Sequence, residues 1–228
     1  SGFSLLIGAF FSLRFRISKR AVARFIAFGS GVLICALTFG LMEEAFSFGG
    51  FDSVIVGFSL GGLGFILGDY FVHIKGGRKH LANPLMNTSK EANGKAITLG
   101  AILDGIPESV ALGVAIFNGH GGGILMVTAI ILSNFPEGLS SVPGLEREGF
   151  PKKKIISIWL LVAIVTTMIT VMSYFFLHNI GLNVIGIIEA FAAGAILAML
   201  ADTMMPEAFD EGGFTIGALT VAGFLTAL

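Results

Sequence analysis

Every lysine and arginine in this chain falls in one of three polar connections between apolar stretches. Arg14, Arg16, Lys19, Arg20 and Arg24 fill the first, Lys75, Arg78, Lys79, Lys90 and Lys95 the second, and Arg147, Lys152, Lys153 and Lys154 the third. The apolar stretches are 3–13, 25–42, 54–74, 96–117, 121–145, 155–177, 184–205 and 214–228. Only 13% of the residues are charged and 54% are hydrophobic, whereas soluble domains carry about 25% charged residues. The pattern predicts an all-α polytopic membrane protein with eight transmembrane helices in a single domain, 1–228. With eight spans the three basic connections share one side, which the positive-inside rule makes cytoplasmic. Both termini then lie outside, and the outer connections contain no lysine or arginine. The expected location is the cytoplasmic (inner) membrane of a prokaryote, with the lipid bilayer as partner and no role for nucleic acid.

Smaller features fit this frame. The stretch 3–13 is shorter than the roughly 20 residues a span needs, so residues preceding it are expected to complete the crossing. No basic segment followed by a cleavage site marks a signal peptide. The single cysteine, Cys35, excludes an internal disulfide and reads as mid-span packing. The 32 glycines suit helices that approach closely in lipid. The segment at about 75–95 is polar and is expected to be a mobile cytoplasmic loop.

Six carboxylates lie inside the apolar stretches: Asp69, Asp104, Glu108, Glu137, Glu189 and Asp202. Each costs about 3 kcal/mol on insertion scales, and no span contains a basic residue to offset it. In the predicted orientation Glu43 and Glu44 lie at the outer end of helix 2 and Glu189 in the outer third of helix 7. Asp104, Glu108 and Glu137 are central. Asp69 and Asp202 lie in the inner third, with Glu207 at the inner mouth. Negative groups spaced from face to face outline a cation path. The alternative is protonated carboxyls hydrogen-bonded between helices, which applies most readily to Asp69 and Glu189.

The central three come with helix breakers. The segments Leu103-Asp104-Gly105-Ile106-Pro107-Glu108 and Leu132-Ser133-Asn134-Phe135-Pro136-Glu137 place a Pro-Glu step on consecutive spans. Proline has no backbone donor, so the carbonyls of Leu103 and Leu132 are freed. Asp104 and Glu108 share a helix face, as do Ser133 and Glu137. If the two helices cross at their prolines, Asp104, Glu108 and Glu137 converge, with Ser133 and Asn134 as auxiliary oxygen ligands. A second echo links helices 2 and 7: Phe28, Gly31, Met42, Glu44, Ala45 and Phe46 recur at the same spacing as Phe191, Gly194, Met205, Glu207, Ala208 and Phe209. Both pairs are antiparallel, which predicts inverted pseudo-symmetry.

These residues resemble the ZIP (Zrt/Irt-like) family of divalent-metal transporters over nearly the whole chain. The likeness rests on eight helices, the long loop between helices 3 and 4, and the paired Pro-Glu motifs. The helix ends Met42-Glu43-Glu44-Ala45 and Met205-Pro206-Glu207-Ala208 add to it. The family usually shows His-Asn-x-Pro-Glu-Gly on helix 4, where this chain has Asp104 and Gly105 before the retained Glu108. On helix 5 the two residues ahead of the motif are Ser133 and Asn134, and Glu137 is retained. A helix 6 glutamate found in many members aligns with Thr166 or Thr167. The resemblance therefore implies one central metal position, and makes a homodimer plausible. An all-oxygen ligand set favours harder cations such as Mn²⁺, with Fe²⁺ between, while the family points to Zn²⁺, which accepts carboxylates.

The expected function is transport of a divalent transition metal toward the cytoplasm, with the metal as cargo and no prosthetic group. Glu43 and Glu44 would gather ions, and Asp202 and Glu207 would line the exit. Of the histidines, His73 and His80 flank the inner loop, while His120 and His178 lie near the outer face. Three other functions share some of these features. A metal sensor or transport-inactive relative would bind without flux. An intramembrane metallohydrolase would need histidine ligands in the spans, which are absent, so no enzyme is expected. A proton- or sodium-coupled carrier of organic solutes would bind few divalent ions.

Overall fold

The structure, a computed structural model, describes residues 2–74, 94–119, 122–178 and 180–228. These residues are helical, without a strand among them. The helices are α1 (Gly2–Arg14), α2 (Lys19–Ala36), α3 (Glu43–Ile74), α4 (Gly94–Asn118), α5 (Gly122–Arg147), α6 (Lys152–Leu177), α7 (Leu182–Met199), α8 (Met205–Gly212) and α9 (Thr215–Ala227). Short π-helical stretches, Leu37–Met42 and Leu200–Met204, join α2 to α3 and α7 to α8 without interrupting the rod. Five helical segments are long and apolar enough to cross a membrane: Lys19–Val72, Thr98–Asn118, Gly123–Arg147, Lys152–Leu177 and Leu182–Gly212. The apolar helices α1 and α9 are shorter. Large apolar side chains such as Leu161, Met168, Met172 and Phe176 of α6 face outward, as a helix bathed in lipid requires.

Several boundaries differ from the sequence reading. Lys19, Arg20 and Arg24 belong to a helix rather than to a connection, because Ser18 caps α2 by accepting the Ala21 N–H at 3.3 Å. Lys152, Lys153 and Lys154 likewise form the first turn of α6, directly after Pro151, where a proline suits the unpaired start of a helix. The acidic residues after Met42 continue the helix to Gly49. The segment Lys19–Val72 contains 54 residues, about 80 Å if straight, far longer than a bilayer is thick. It breaks at Gly50, whose φ of 66° and ψ of −170° lie outside the helical region. Gly213 stops α8 in nearly the same conformation, φ 67° and ψ −147°. Of the predicted loop, residues 75–93 lie outside the described residues, as do Lys75, Arg78, Lys79, His80, Lys90 and His120.

The packing is reciprocal. The spacing that takes Phe28 to Phe191 also takes Glu44 to Glu207, Gly50 to Gly213, and the π stretch at Leu37 to that at Leu200. Related helices pack crosswise: α2 on α9, and α3 on α7. A Cβ on Gly31 would lie 1.9 Å from the Thr220 carbonyl oxygen, and one on Gly194 would lie 2.1 Å from that of Phe58. A Cβ on Gly61 would meet Phe191 O at 1.9 Å, and one on Gly223 would meet Phe28 O at 2.1 Å. Helix α1 packs on α5, and α6 on α4, in the same exchanged manner. The π stretch after α2 touches α7, while that after α7 touches α2. Gly186, early in α7, lies against Ala45 and Gly49 beyond the end of α2, while Gly212 lies near Ala23 at the start of α2, so the two rods run in opposite directions.

Neighbour pairs give further directions. Gly57 faces Ile187 and Gly61 faces Phe191, so the second half of α3 runs parallel to α7. Gly105 meets Thr166 and Gly113 meets Thr170 and Tyr174, so α4 runs parallel to α6. Gly123 approaches Ala115 and Ser133 approaches Glu108, so α4 and α5 form an antiparallel hairpin. The main core gathers Leu33, Leu37, Leu41, Met126, Ile130, Ile196 and Met199 from three of these rods, with Ala111, Leu112 and Ala115 of α4. It holds α4 and α5, with their acidic residues, in the middle of the bundle.

Candidate cation path

Asp104 is 3% exposed, Glu108 1% and Asn134 1%, while Ser109 and Ser133 are fully buried. The antiparallel register of α4 and α5 brings Glu108 against Ser133 and Asn134. The Ser133 hydroxyl lies 3.4 Å from Glu108 Oε1, 3.4 Å from Asn134 Oδ1 and 3.2 Å from the Ile130 carbonyl. Asp104 lies one turn before Glu108 on the same face of α4. Glu108 Oε2 is buried and accepts no hydrogen bond.

Glu137 is half-buried, one helical turn from Ser133. That turn is about 6 Å along the axis, so the register brings Glu137 level with Asp104 rather than with Glu108. The acidic residues thus occupy two successive levels. Among the described residues no three His, Cys, Asp or Glu side chains gather as a metal-binding group, so the convergence of Asp104, Glu108 and Glu137 on one point is absent from this conformation. Both helices continue through Pro107 and Pro136. Beside Pro107, the Ser109 hydroxyl donates to the Gly105 carbonyl at 2.6 Å.

Thr166 is the residue of α6 that faces this region. It is buried and donates to the carbonyls of α6's own preceding turn, Val162 at 3.0 Å and Ala163 at 3.2 Å. Its methyl would lie 2.8 Å from a Cβ at position 105, which explains why glycine follows Asp104. Thr167 points away from the core.

The other acidic residues separate into two ends. At one end Glu44 of α3 and Glu189 of α7 meet across Asn118, the last residue of α4. The Asn118 amide nitrogen donates to Glu189 Oε1 at 2.6 Å and also to Glu44 Oε2. Glu189 is 0% exposed and Glu44 half-buried, with exposed Glu43 beside it. Asn118 escaped the sequence reading because an amide at a helix end ordinarily signals only a cap. The Asn118 end is about 15 Å along α4 from Glu108.

At the opposite end an open cavity of about 260 Å³ is lined by Ser12, Ile26, Ser140, Arg147 and Glu207, among others. Lys19 and Glu211 pair across its rim at 2.6 Å. Asp69 is buried in α3, and Asp202 sits half-buried in the π stretch before α8. The backbone of His73 lies in α3; His178 ends α6, its ring 4.9 Å from that of Phe117. No protein-family model matches the chain, and no curated protein matches it significantly.

Proposed function

We propose that this chain is a membrane transporter of divalent transition-metal ions built on the ZIP plan, carrying Zn²⁺, Mn²⁺ or Fe²⁺ toward the cytoplasm. The observation that carries the reading is Glu108: a fully buried carboxylate in the middle of an apolar helix, facing Ser133 and Asn134, with one oxygen unsatisfied. No lysine or arginine lies in the apolar stretches that hold these carboxylates, and on this reading the cargo, displacing a proton, brings the charge that neutralises Glu108. Glu108, Ser133 and Asn134 form one station, and Asp104 with Glu137 the next.

The eight-pass count is supported by helix direction. Splitting Lys19–Val72 at Gly50 and counting α1 and α9 as passes gives eight. The parallel pairs, α3 with α7 and α4 with α6, are then passes of equal parity, as alternating crossings demand. The crosswise packing of related helices supports an inverted repeat. By the positive-inside rule the Arg147 end is cytoplasmic, so the conformation has a packed outer end and an open inner one. A homodimer remains part of this proposal through the family likeness.

The test is uptake of Zn²⁺, Mn²⁺, Fe²⁺, Co²⁺ and Cd²⁺ into proteoliposomes, with Glu108→Ala and Glu137→Ala beside the unmodified chain. Saturable uptake that falls at least about tenfold in either variant is expected, since even residues supporting a metal ligand are worth that much. Wild-type rates in both variants would overturn the assignment. Binding without flux would identify a sensor instead.

A further inference from the structure

Helix α2 opens with its charges set against it. Lys19, Arg20 and Arg24 lie near its start, and its first turn carries no acid, although the start of a helix already bears a partial positive charge. Lys19 is offset by Glu211 at 2.6 Å. Arg20 and Arg24 are exposed, one turn apart on one face, and neither pairs with a carboxylate among the described residues. Two like charges at that spacing repel one another, so this face lacks an anion that the chain itself does not supply.

The same face is hollow. Ala21, Arg24, Phe25 and Phe28 of α2 line an open groove of about 390 Å³ together with Leu219 of α9. Its wall is apolar apart from Arg24, and no acidic residue lines it. Val22, Ala23 and Ile26, on the other side of α2, line the open cavity at the Arg147 end instead. The groove therefore looks away from the cation path, onto the outer surface of the bundle, where Phe25 is 54% exposed. It follows the seam between α2 and α9, where Gly223 packs on the Phe28 carbonyl. Its volume is at the low end of small-molecule sites, which run from about 300 to 1,000 Å³, and suits one hydrocarbon chain rather than a helix of another protein.

We propose that this groove binds an anionic phospholipid. One acyl chain lies along Phe25, Phe28 and Leu219, and the phosphate bridges Arg20 and Arg24. Guanidinium groups suit phosphate because their fixed N–H donors meet its oxygens in pairs. By the positive-inside rule the mouth of the groove faces the cytoplasmic leaflet, where anionic lipids attract basic residues at the ends of spans. The lipid touches both α2 and α9 and so joins two helices remote in sequence. The site requires a bilayer but does not depend on metal transport.

The experiment is native mass spectrometry of the full chain in detergent micelles, titrated with phosphatidylglycerol or with phosphatidylcholine of the same chains. The unmodified chain is expected to bind a first phosphatidylglycerol at least about tenfold more tightly than phosphatidylcholine, since each basic residue near an anionic surface is worth about fivefold. Arg20→Gln with Arg24→Gln is expected to remove that preference. Ala21→Trp, which fills the groove and leaves both arginines in place, is expected to remove it as well. Lys152→Gln with Lys153→Gln, an equal loss of charge at the start of α6, is expected to leave it unchanged. Equal binding of the two lipids, a preference that survives in the arginine variant or in Ala21→Trp, or an equal loss in the lysine variant overturns the site. Glycerol phosphate competing as strongly as the whole lipid overturns the acyl groove and leaves a phosphate patch.

Discussion

Glu108 is placed against its own stability. Its carboxyl is 1% exposed and one oxygen is unsatisfied, which the proposed transport role accounts for by a cation in the space beside it. Removing the charge without changing the shape relieves the burial penalty. Glu108→Gln is therefore expected to raise the melting temperature of the metal-free chain, by the equivalent of about 1–2 kcal/mol, while uptake falls. A lower melting temperature would show that Glu108 is a structural partner of Asn134. The sequence made Glu108 conspicuous, since an acid after a proline in an apolar run has few ordinary explanations. It did not announce Asn118, whose two carboxylate partners come from remote helices. Nor did it separate Thr166 from Thr167, which only the rotation of α6 against Gly105 distinguishes.

At the level of elements, two glycine breaks decide the fold. Gly50 and Gly213 occupy related places and share a positive φ, which L-residues with a side chain avoid. Neither would meet a neighbouring atom if given a Cβ, so the strain is purely in the backbone. Gly50→Ala is expected to destabilise the fold by about 1 kcal/mol, readable as a lower melting temperature in detergent. An unchanged value would mean that the break is set by packing alone. The apolar runs on either side of this break were plain in the sequence. The helical continuation to Gly49 was not, because Glu43 and Glu44 read as the outer end of helix 2 until the pairing of Glu44 with Asn118 is seen. The π stretches were equally hidden, since one wide turn leaves no mark on hydrophobic periodicity.

For the whole molecule, the difference between the ends fixes what each side of a membrane can reach. Ser140 and Ser12 line the open cavity, while Asn118 and Glu189 are packed together. With Cys35 replaced, Ser140→Cys is expected to react with a membrane-impermeant maleimide only from the side bearing Arg147 and Lys152. Cysteine at Glu189 is expected to resist labelling from either side. Reaction of Ser140→Cys from the opposite side would reverse the orientation. The repeat linking Phe28 with Phe191 was visible as a sequence echo, whereas the exchange of partners between its halves was not: a linear motif carries no information about which surface it will cover.

That exchange has a consequence for how the chain is made. The groove around Gly31 is filled by Thr220 and Phe224 of α9, nearly two hundred residues later in the sequence. While a ribosome is still producing the intervening helices, α2 lies in the bilayer without its partner, and α3 waits for α7 in the same way. The packing of α2 is completed only when α9 has been made, and that of α3 only when α7 has. A nascent chain of this design depends on whatever shields small-residue grooves from unrelated helices until the matching helices arrive.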